Sequence, residues 1–265
     1  MIDRVRRFIG LFASRYQDYA ELFAAKSLEE TLAWAKRNRL LGFNQSVIRL
    51  RILYALVSAF QATHFIETGT YHGATSICAH RGLGMQVWTC ETSRWNSWVT
   101  KALVCGLRDI EAVRADSRLF LQHVVSRLRK ARNVQPFFYL DAHAGINKQN
   151  CPILEEISLV GTVDSFLAVI DDFEVPGRPF RFGRYGSIHL NVDLIRGPLH
   201  RSGIGRVFFP AYAPQLEQGI AQTGYAVFFR SSVLENYMRK DFFPLNLLQS
   251  CELADGRLSE SCASS

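Results

Sequence analysis

The sequence predicts an α/β protein, in which a mostly parallel β-sheet carries helices on both faces. From residue 64 onward, short apolar runs typical of buried strands alternate with longer stretches whose apolar residues recur at helical spacing. Each strand run ends in a polar or glycine-rich turn. This alternation favours a parallel sheet, because right-handed crossovers lay each connecting helix against the sheet. A chain of 265 residues can form one such domain with additional structure at its ends.

The apolar runs predict seven strands, and the helical patterns around the first five predict five helices. The strands are predicted at residues 64–69, 86–91, 110–115, 136–140, 166–170, 206–209 and 225–229. The helices are predicted at residues 46–61, 74–81, 96–105, 118–132 and 152–161. The connection between the last two strands, residues 214–224, is short, which predicts a hairpin-like or antiparallel end of the sheet.

Three regions follow from these elements. Residues 1–45 show helical periodicity broken by short polar stretches, and they predict a helical cap or lead-in. Residues 46–250 form the predicted α/β domain. Residues 251–265 are rich in serine, alanine and charge, which is typical of a flexible tail.

Composition narrows the class of protein. Hydrophobic residues make up 48% and charged residues 21%, as in an ordinary globular protein. The net charge of +7 is spread over separate predicted helices, which favours a solvated basic surface; a site for nucleic acid or another polyanion is disfavoured but stays open. No apolar stretch predicts a signal peptide or a membrane span. The six cysteines lack a C-x-x-C pair, which favours free thiols and a cytoplasmic location, while homo-oligomerisation is left open.

A glycine-containing turn follows the first predicted strand, in the segment Glu67-Thr-Gly69-Thr-Tyr-His-Gly73. Gly69 allows the backbone to turn tightly against a ligand. Gly73 opens a helix whose N-terminus favours negative groups. The alternative is a tight strand-to-helix turn that binds nothing.

Acidic residues follow the next two strands. Glu91 closes the second strand, twenty-two residues after Gly69, at the distance where a carboxylate can bind ribose hydroxyls. Asp116 and Ser117 follow the third strand, where they could meet an adenine amino group. Helix capping is the alternative role for Glu91 and Asp116. Because three strand ends agree, the sequence favours a nucleotide cofactor.

A second group of polar residues follows the fourth and fifth strands. Asp141 and His143 follow one strand, and Asp171 and Asp172 follow the other. Close carboxylates repel one another unless a cation lies between them, and Mg²⁺ prefers oxygen ligands, so Asp141, Asp171 and Asp172 predict a magnesium site. His143 could then act as the general base, with Asp141 as the second catalytic residue. In the alternative, the acids cap the next loop and His143 packs under the following helix.

Taken together, these residues resemble the class I S-adenosylmethionine-dependent methyltransferases, and most closely the metal-dependent small-molecule O-methyltransferases of the macrocin and catechol types. The resemblance covers about residues 46–229 and lies in the order and strand-end placement of the motifs. It implies a Rossmann-like seven-stranded sheet whose last strand is antiparallel. It also implies S-adenosylmethionine as cofactor, transfer of its methyl group to a hydroxyl oxygen of a small-molecule acceptor, and metal binding by Asp141, Asp171 and Asp172.

The chain departs from that family pattern in two places. The glycine turn lacks a middle glycine, which leaves Tyr71 beside the methionine part of the cofactor. His143 stands where the family has a carboxylate, which leaves the identity of the base open.

Two other functions remain as alternatives. An NAD-dependent oxidoreductase would use similar glycine and acidic signals, but the Gly-x-Gly-x-x-Gly fingerprint is missing. A non-catalytic or nucleic-acid-binding protein that keeps a methyltransferase-like fold is supported by the basic charge and by the arginine- and aromatic-rich residues 173–186.

Overall fold

The computed structural model describes residues 19–38, 40, 42–131, 133–143, 151–186, 188–217 and 222–253. Within these residues the strands, in chain order, are β1 (His64–Thr68), β2 (Gln86–Glu91), β3 (Ile110–Arg114), β4 (Pro136–Leu140), β5 (Phe166–Ile170), β6 (Arg184–Tyr185), β7 (Ile188–His189), β8 (Arg206–Pro210), β9 (Ala226–Arg230) and β10 (Leu248–Glu252).

The helices of the described residues are α1 (Ala20–Ala24), α2 (Leu28–Arg37), α3 (Val47–Phe60), α4 (Ala74–Leu83), α5 (Arg94–Leu103), α6 (Ser117–Lys130), α7 (Ile153–Val160), α8 (Val192–Arg201) and α9 (Ser232–Tyr237). Short 3₁₀ turns occur at Phe43–Gln45, Pro214–Leu216 and Leu245–Leu247. No helix among the described residues is long and apolar enough to cross a membrane.

The central sheet has the strand order β10-β8-β9-β5-β4-β1-β2-β3. The pairs β1–β2, β2–β3, β1–β4 and β4–β5 are parallel, whereas β9 is antiparallel to both β5 and β8. The predicted α/β class and its antiparallel end are therefore confirmed. The sheet has eight strands instead of seven, because β10 adds an antiparallel strand at the edge of β8.

The middle of the sheet is buried on both faces. Every residue of β4 and β5 is buried, as expected for parallel strands that lie between two layers of helices. Their sequences, Pro-Phe-Phe-Tyr-Leu and Phe-Leu-Ala-Val-Ile, are continuously apolar for this reason. The rigid centre holds the carboxyl ends of β1, β4 and β5 side by side.

Helix α3 joins the N-terminal region to the sheet. Eleven of its fourteen residues are buried, and α1 and α2 pack against it. Two arginines, Arg49 and Arg51, lie among its apolar residues and are buried with them. The described part of the predicted cap, from residue 19, is thus packed on the α/β body, while residues 1–18 lie outside the described residues.

The C-terminal region contains elements that the periodicity did not predict, namely α8, α9, β10 and the two-stranded β6–β7 ribbon. The ribbon lies at the end of the arginine- and aromatic-rich segment, residues 173–186. Strand β10 continues to Glu252, so the sheet extends two residues beyond the predicted domain end at residue 250. Residues 254–265, most of the predicted tail, lie outside the described residues.

We predict that β10 protects the edge of the sheet. A chain ending at residue 247 should aggregate more readily and unfold at lower temperature, because the edge of β8 would expose unpaired backbone groups and the buried Cys251 and Leu253 would be lost. A chain ending at residue 253 is the control, because it retains β10. Light scattering and thermal unfolding compare the two, and equal behaviour would contradict a protective role.

Candidate cofactor and metal site

A cavity of about 580 Å³ lies at the carboxyl ends of β1 to β5. Ligands of open α/β sheets bind where the strand order reverses, which in this sheet is between β1 and β4. The residues that form the wall of the cavity are Asn44, Gly69, Tyr71, Cys90, Glu91, Thr92, Ser93, Asn96, Ala115, Asp116, Ser117, Arg118, Asp141, Ala142, Pro152 and Asp172. The predicted site residues on this wall are Gly69, Tyr71, Glu91, Asp116, Ser117, Asp141 and Asp172.

Two positions of the turn after β1 require glycine. Gly69 has φ +81°, and a Cβ at this position would overlap the carbonyl oxygen of Asp141. Gly73 also has φ +81° and precedes α4, where a Cβ would lie 3.1 Å from the Thr100 Cγ2 atom. Gly73 is not on the cavity wall. The turn thus brings the backbones after β1 and β4 into direct contact beside the cavity.

Tyr71 lies in this turn with φ +51°, and its side chain is 63% exposed at the cavity. Its backbone N–H donates to the Glu91 Oε2 atom at 2.9 Å. The Thr100 hydroxyl donates to its carbonyl at 2.9 Å. These two bonds hold the turn against β2 and α5 and present the phenol ring to the cavity.

Glu91 connects two loops while it faces the cavity. Its Oε2 atom accepts the Tyr71 N–H, and its Oε1 atom accepts the Ser93 N–H at 2.7 Å. The Oε1 atom also accepts the Thr92 hydroxyl at 3.4 Å. A carboxylate oxygen can accept two hydrogen bonds, so Oε2 keeps capacity for a ligand hydroxyl.

Asp116 and Ser117 form the start of α6 at the cavity wall. Asp116 caps the helix by accepting the Arg118 N–H at 2.9 Å, and it pairs with the Arg118 guanidinium at 3.0 Å. Hydrogen bonds from Arg118 lower the pKa of Asp116. Asp116 therefore has the capping role and also lines the cavity, so the two interpretations coexist.

Glu67 was predicted to bind the cofactor, but the structure places it beneath the turn and not on the cavity wall. Its carboxyl group is buried and accepts the Ser76 hydroxyl at 2.5 Å and the Thr89 hydroxyl at 2.9 Å. Burial raises the pKa of Glu67 to about 8. Glu67 thus supports the turn from below in a largely protonated form at neutral pH.

Three potential metal ligands converge at the other end of the cavity. One ligand atom from each of Asp141, His143 and Asp172 lies within 4.8 Å of the others. The His143 Nε2 atom is 3.9 Å from the Asp141 Oδ1 atom. Asp141 and Asp172 line the cavity, whereas His143 is buried behind them.

Burial and mutual repulsion make the two carboxylates hard to ionise together. Burial, followed by the charges of Asp171 and Asp172, raises the pKa of Asp141. Burial and the charge of Asp171 raise the pKa of Asp172 to about 6. A cation between the carboxylates would remove this penalty.

Asp171 belongs to a different arrangement from the predicted metal set. Its Oδ1 atom accepts the Arg49 guanidinium at 2.6 Å, and its Oδ2 atom accepts the Tyr139 hydroxyl at 2.5 Å and the Asn44 amide at 3.0 Å. Burial raises the pKa of Asp171, but the Arg49 charge and the Tyr139 hydrogen bond outweigh it and lower the pKa below its usual value. His143, and not Asp171, joins Asp141 and Asp172.

Sequence reasoning missed Asn44 and Arg49. Asn44 lines the cavity from a turn in which three successive non-glycine residues, Phe43–Gln45, have positive φ. Their partner Asp171 is 127 and 122 residues away along the chain, so no local pattern links them. The only sequence signal was a pair of charged residues, Arg49 and Arg51, inside a largely apolar helical stretch.

No family model matches the sequence, and no curated protein matches it. Solved structures similar to this chain include an O-methyltransferase from Bacillus cereus in complex with SAH, at 19% identity, covering 80% of this chain and 94% of that one with a TM-score of 0.46. An amino pentose methyltransferase from Micromonospora echinaspora with bound SAM has 11% identity, with 82% and 98% covered and a TM-score of 0.46.

A SAM-dependent methyltransferase from Aquifex aeolicus is also similar, at 11% identity, with 75% and 97% covered and a TM-score of 0.44. Identities and TM-scores at this level do not assign a function. The mostly parallel sheet and the antiparallel β9 of this chain are those implied by the resemblance to class I methyltransferases, with one strand added.

We predict that Arg49→Met lowers the free energy of unfolding by about 3–5 kcal/mol, because it leaves a buried carboxylate without its counter-charge. Arg51→Met, on the same helix, should cost only about 1 kcal/mol, since Arg51 donates to one carbonyl, that of Ala25. Urea unfolding measures both. The double variant Arg49→Met/Asp171→Asn should be more stable than Arg49→Met, and additive losses would contradict a direct ion pair.

A second prediction concerns the pH dependence of stability. The folded-state pKa of Glu67, about 8, lies above its ordinary value of 4.5, so its contribution is fully present below about pH 4.5 and is lost as the pH rises through 8. Glu67→Gln should therefore reduce the loss of unfolding free energy over this range. Part of the slope of unfolding free energy against pH should remain in this variant, because burial also raises the pKa of Glu156, to about 7. The exposed control Glu111→Gln should leave it unchanged, and an unchanged slope in Glu67→Gln would contradict the prediction.

Proposed function

We propose that this protein is an S-adenosylmethionine-dependent methyltransferase that methylates a hydroxyl group of a small molecule with the help of a bound divalent cation. The observation that carries the proposal is the division of one cavity into two ends. Gly69, Tyr71, Glu91 and the Asp116–Ser117 pair lie at one end, over β1 to β3. Asp141 and Asp172 lie at the other, over β4 and β5.

The first end suits a nucleoside cofactor. Glu91 is the proposed acceptor for the two ribose hydroxyls, and Asp116 with Ser117, one strand further along, would face the adenine. The exposed ring of Tyr71 would lie beside the methionine part. Gly69 allows the cofactor to approach the backbone at the centre of the sheet.

The second end suits an acceptor with a hydroxyl group. Methyl transfer breaks the bond between the sulfonium sulfur and the methyl carbon, forms a carbon–oxygen bond, and releases S-adenosylhomocysteine and the hydroxyl proton. Asp141 and Asp172 are the groups proposed to hold the cation, so the proton released from the hydroxyl passes to solvent. A bound divalent cation, predicted from the sequence as Mg²⁺, would orient the acceptor and lower the pKa of its hydroxyl.

His143 fits the predicted role of general base less well than a ligand role. Its side chain is enclosed, and burial lowers its pKa to about 4, so the imidazole is a weak base. We therefore assign His143 to the cation and not to proton acceptance.

The size of the cavity supports a small-molecule acceptor. A volume of about 580 Å³ lies in the range of ordinary small-molecule sites. The cytoplasmic location, a possible homo-oligomer and the disfavoured but open binding of nucleic acid stay predictions from the sequence.

The proposal predicts binding of S-adenosylhomocysteine by isothermal titration. Glu91→Ala should weaken it at least about tenfold, because hydrogen bonds to a charged group contribute about 1.5–3 kcal/mol. The matched control is Glu111→Ala, which removes an exposed carboxylate from the neighbouring strand β3 and should leave affinity unchanged. Equal affinity of wild type and Glu91→Ala would remove the ribose role of Glu91. Binding of NAD⁺ without S-adenosylhomocysteine would support the oxidoreductase alternative.

A further inference from the structure

The His143 imidazole is a buried polar group without a normal hydrogen bond to the described residues. The side chain is fully enclosed, and neither ring nitrogen has a hydrogen-bond partner of normal geometry among the described residues, although the Asp171 backbone lies close enough to interact with it. Buried polar groups are nearly always satisfied, so an imidazole without a normal hydrogen bond beside two carboxylates fits the role of a metal ligand.

A shared cation would also stabilise the two carboxylates beside His143. Asp141 and Asp172 offer oxygen atoms within 4.8 Å of an imidazole nitrogen and of each other. Two negative charges at this distance, in a largely buried setting, are unfavourable unless a cation is shared.

Asp171 is not available as a ligand of that cation, because it already forms an ion pair with Arg49. The two Asp171 oxygens accept hydrogen bonds from Arg49, Tyr139 and Asn44, and Oδ1 also accepts the Asp172 N–H at 2.7 Å. The guanidinium already neutralises the Asp171 charge. The set that remains consists of one nitrogen and two oxygens.

The same hydrogen bond fixes the direction of Asp172. Asp172 has φ +50°, a left-handed conformation that costs free energy for a non-glycine residue. Its N–H is held by Asp171, and its carbonyl accepts the Gly183 N–H at 2.7 Å. The strained backbone is thus held in place, with the carboxylate on the cavity wall beside Asp141.

We propose that Asp141, His143 and Asp172 bind a first-row transition-metal ion, of the series from Mn²⁺ to Zn²⁺, in preference to Mg²⁺. Mg²⁺ favours oxygen ligands, whereas imidazole suits transition metals. The inference deepens the proposed function, because this ion would be the cation that orients the acceptor. It also replaces Asp171 of the predicted magnesium set by His143.

Pulsed electron paramagnetic resonance of wild-type protein with Mn²⁺ alone tests the inference directly. We expect modulation from a directly coordinated ¹⁴N nucleus, because His143 is the nitrogen ligand. Bound Mn²⁺ without nitrogen coupling, or no Mn²⁺ binding at all, would overturn the proposal.

Variants identify the ligand. His143→Asp should abolish the nitrogen coupling and weaken Co²⁺ binding at least about tenfold, since loss of even an outer partner of a metal site typically costs about 10–100-fold. Its Mg²⁺ affinity should be retained or increased, so the preference for Co²⁺ over Mg²⁺ falls. His123→Ala is the control, because it removes an exposed imidazole from α6. Loss of the coupling in this control, or its persistence in His143→Asp, would overturn the assignment.

A buried substitution can prevent folding, so a second variant is included. Asp172→Asn changes a residue on the cavity wall, retains its volume, and should weaken Mn²⁺ and Co²⁺ binding at least about tenfold. Unchanged affinity would exclude Asp172 as a ligand and overturn the proposed set.

Titration of S-adenosylhomocysteine on the same samples separates the two proposals. Protein that binds S-adenosylhomocysteine but no metal overturns the metal assignment alone. Protein that binds Mn²⁺ through nitrogen but no S-adenosylhomocysteine overturns the proposed methyltransferase function and leaves the metal site standing.

Discussion

The buried ion pair between Arg49 and Asp171 is the interaction on which the site depends. It joins α3, which precedes the sheet, to the carboxyl end of β5. Both side chains are almost completely buried, so the pair is not weakened by solvent screening. Each partner is also held by neutral groups, because Arg49 donates to the Thr223 carbonyl at 2.7 Å and Asp171 accepts the Tyr139 hydroxyl. The N-terminal helix α3 and the antiparallel end of the sheet are therefore connected through this ion pair.

This pair determines which acidic residues are available to a ligand. Asp141, Asp171 and Asp172 all follow neighbouring strands, and by position alone any of them could hold a cation. Arg49 neutralises one of them, and its partner Asp171 then holds the backbone of Asp172 in a left-handed turn. The cavity is left with two carboxylates whose pKa values burial raises. Such a wall favours a positive ligand, which fits both a sulfonium cofactor and a divalent ion.

The other half of the cavity is organised by backbone contact more than by charge. Gly69 lies so close to the chain after β4 that no side chain fits. Glu67 supports the turn from beneath, and Glu91 holds it from the side through the Tyr71 N–H. Two of the three predicted acidic cofactor residues therefore face the cavity, whereas Glu67 has a supporting role. From sequence alone, a carboxylate at the end of a buried strand can either face the cavity or lie beneath the turn. The neighbouring residues decide which of these positions it takes.

The sequence by itself determined the α/β class, the seven principal strands to within one residue at either end, and the placement of Gly69, Glu91, Asp116 and Asp141 at strand ends. It could do so because alternation of apolar runs is a local property of the chain, and parallel strands bring their carboxyl ends to one edge. Strand β10 escaped prediction because Leu-Gln-Ser-Cys-Glu is a polar edge strand with little apolar signal. Only the tertiary structure decided that Asp171 pairs with Arg49 and that His143 is the buried group beside Asp141. Those choices depend on burial and on contacts between residues more than a hundred positions apart, which no local pattern records.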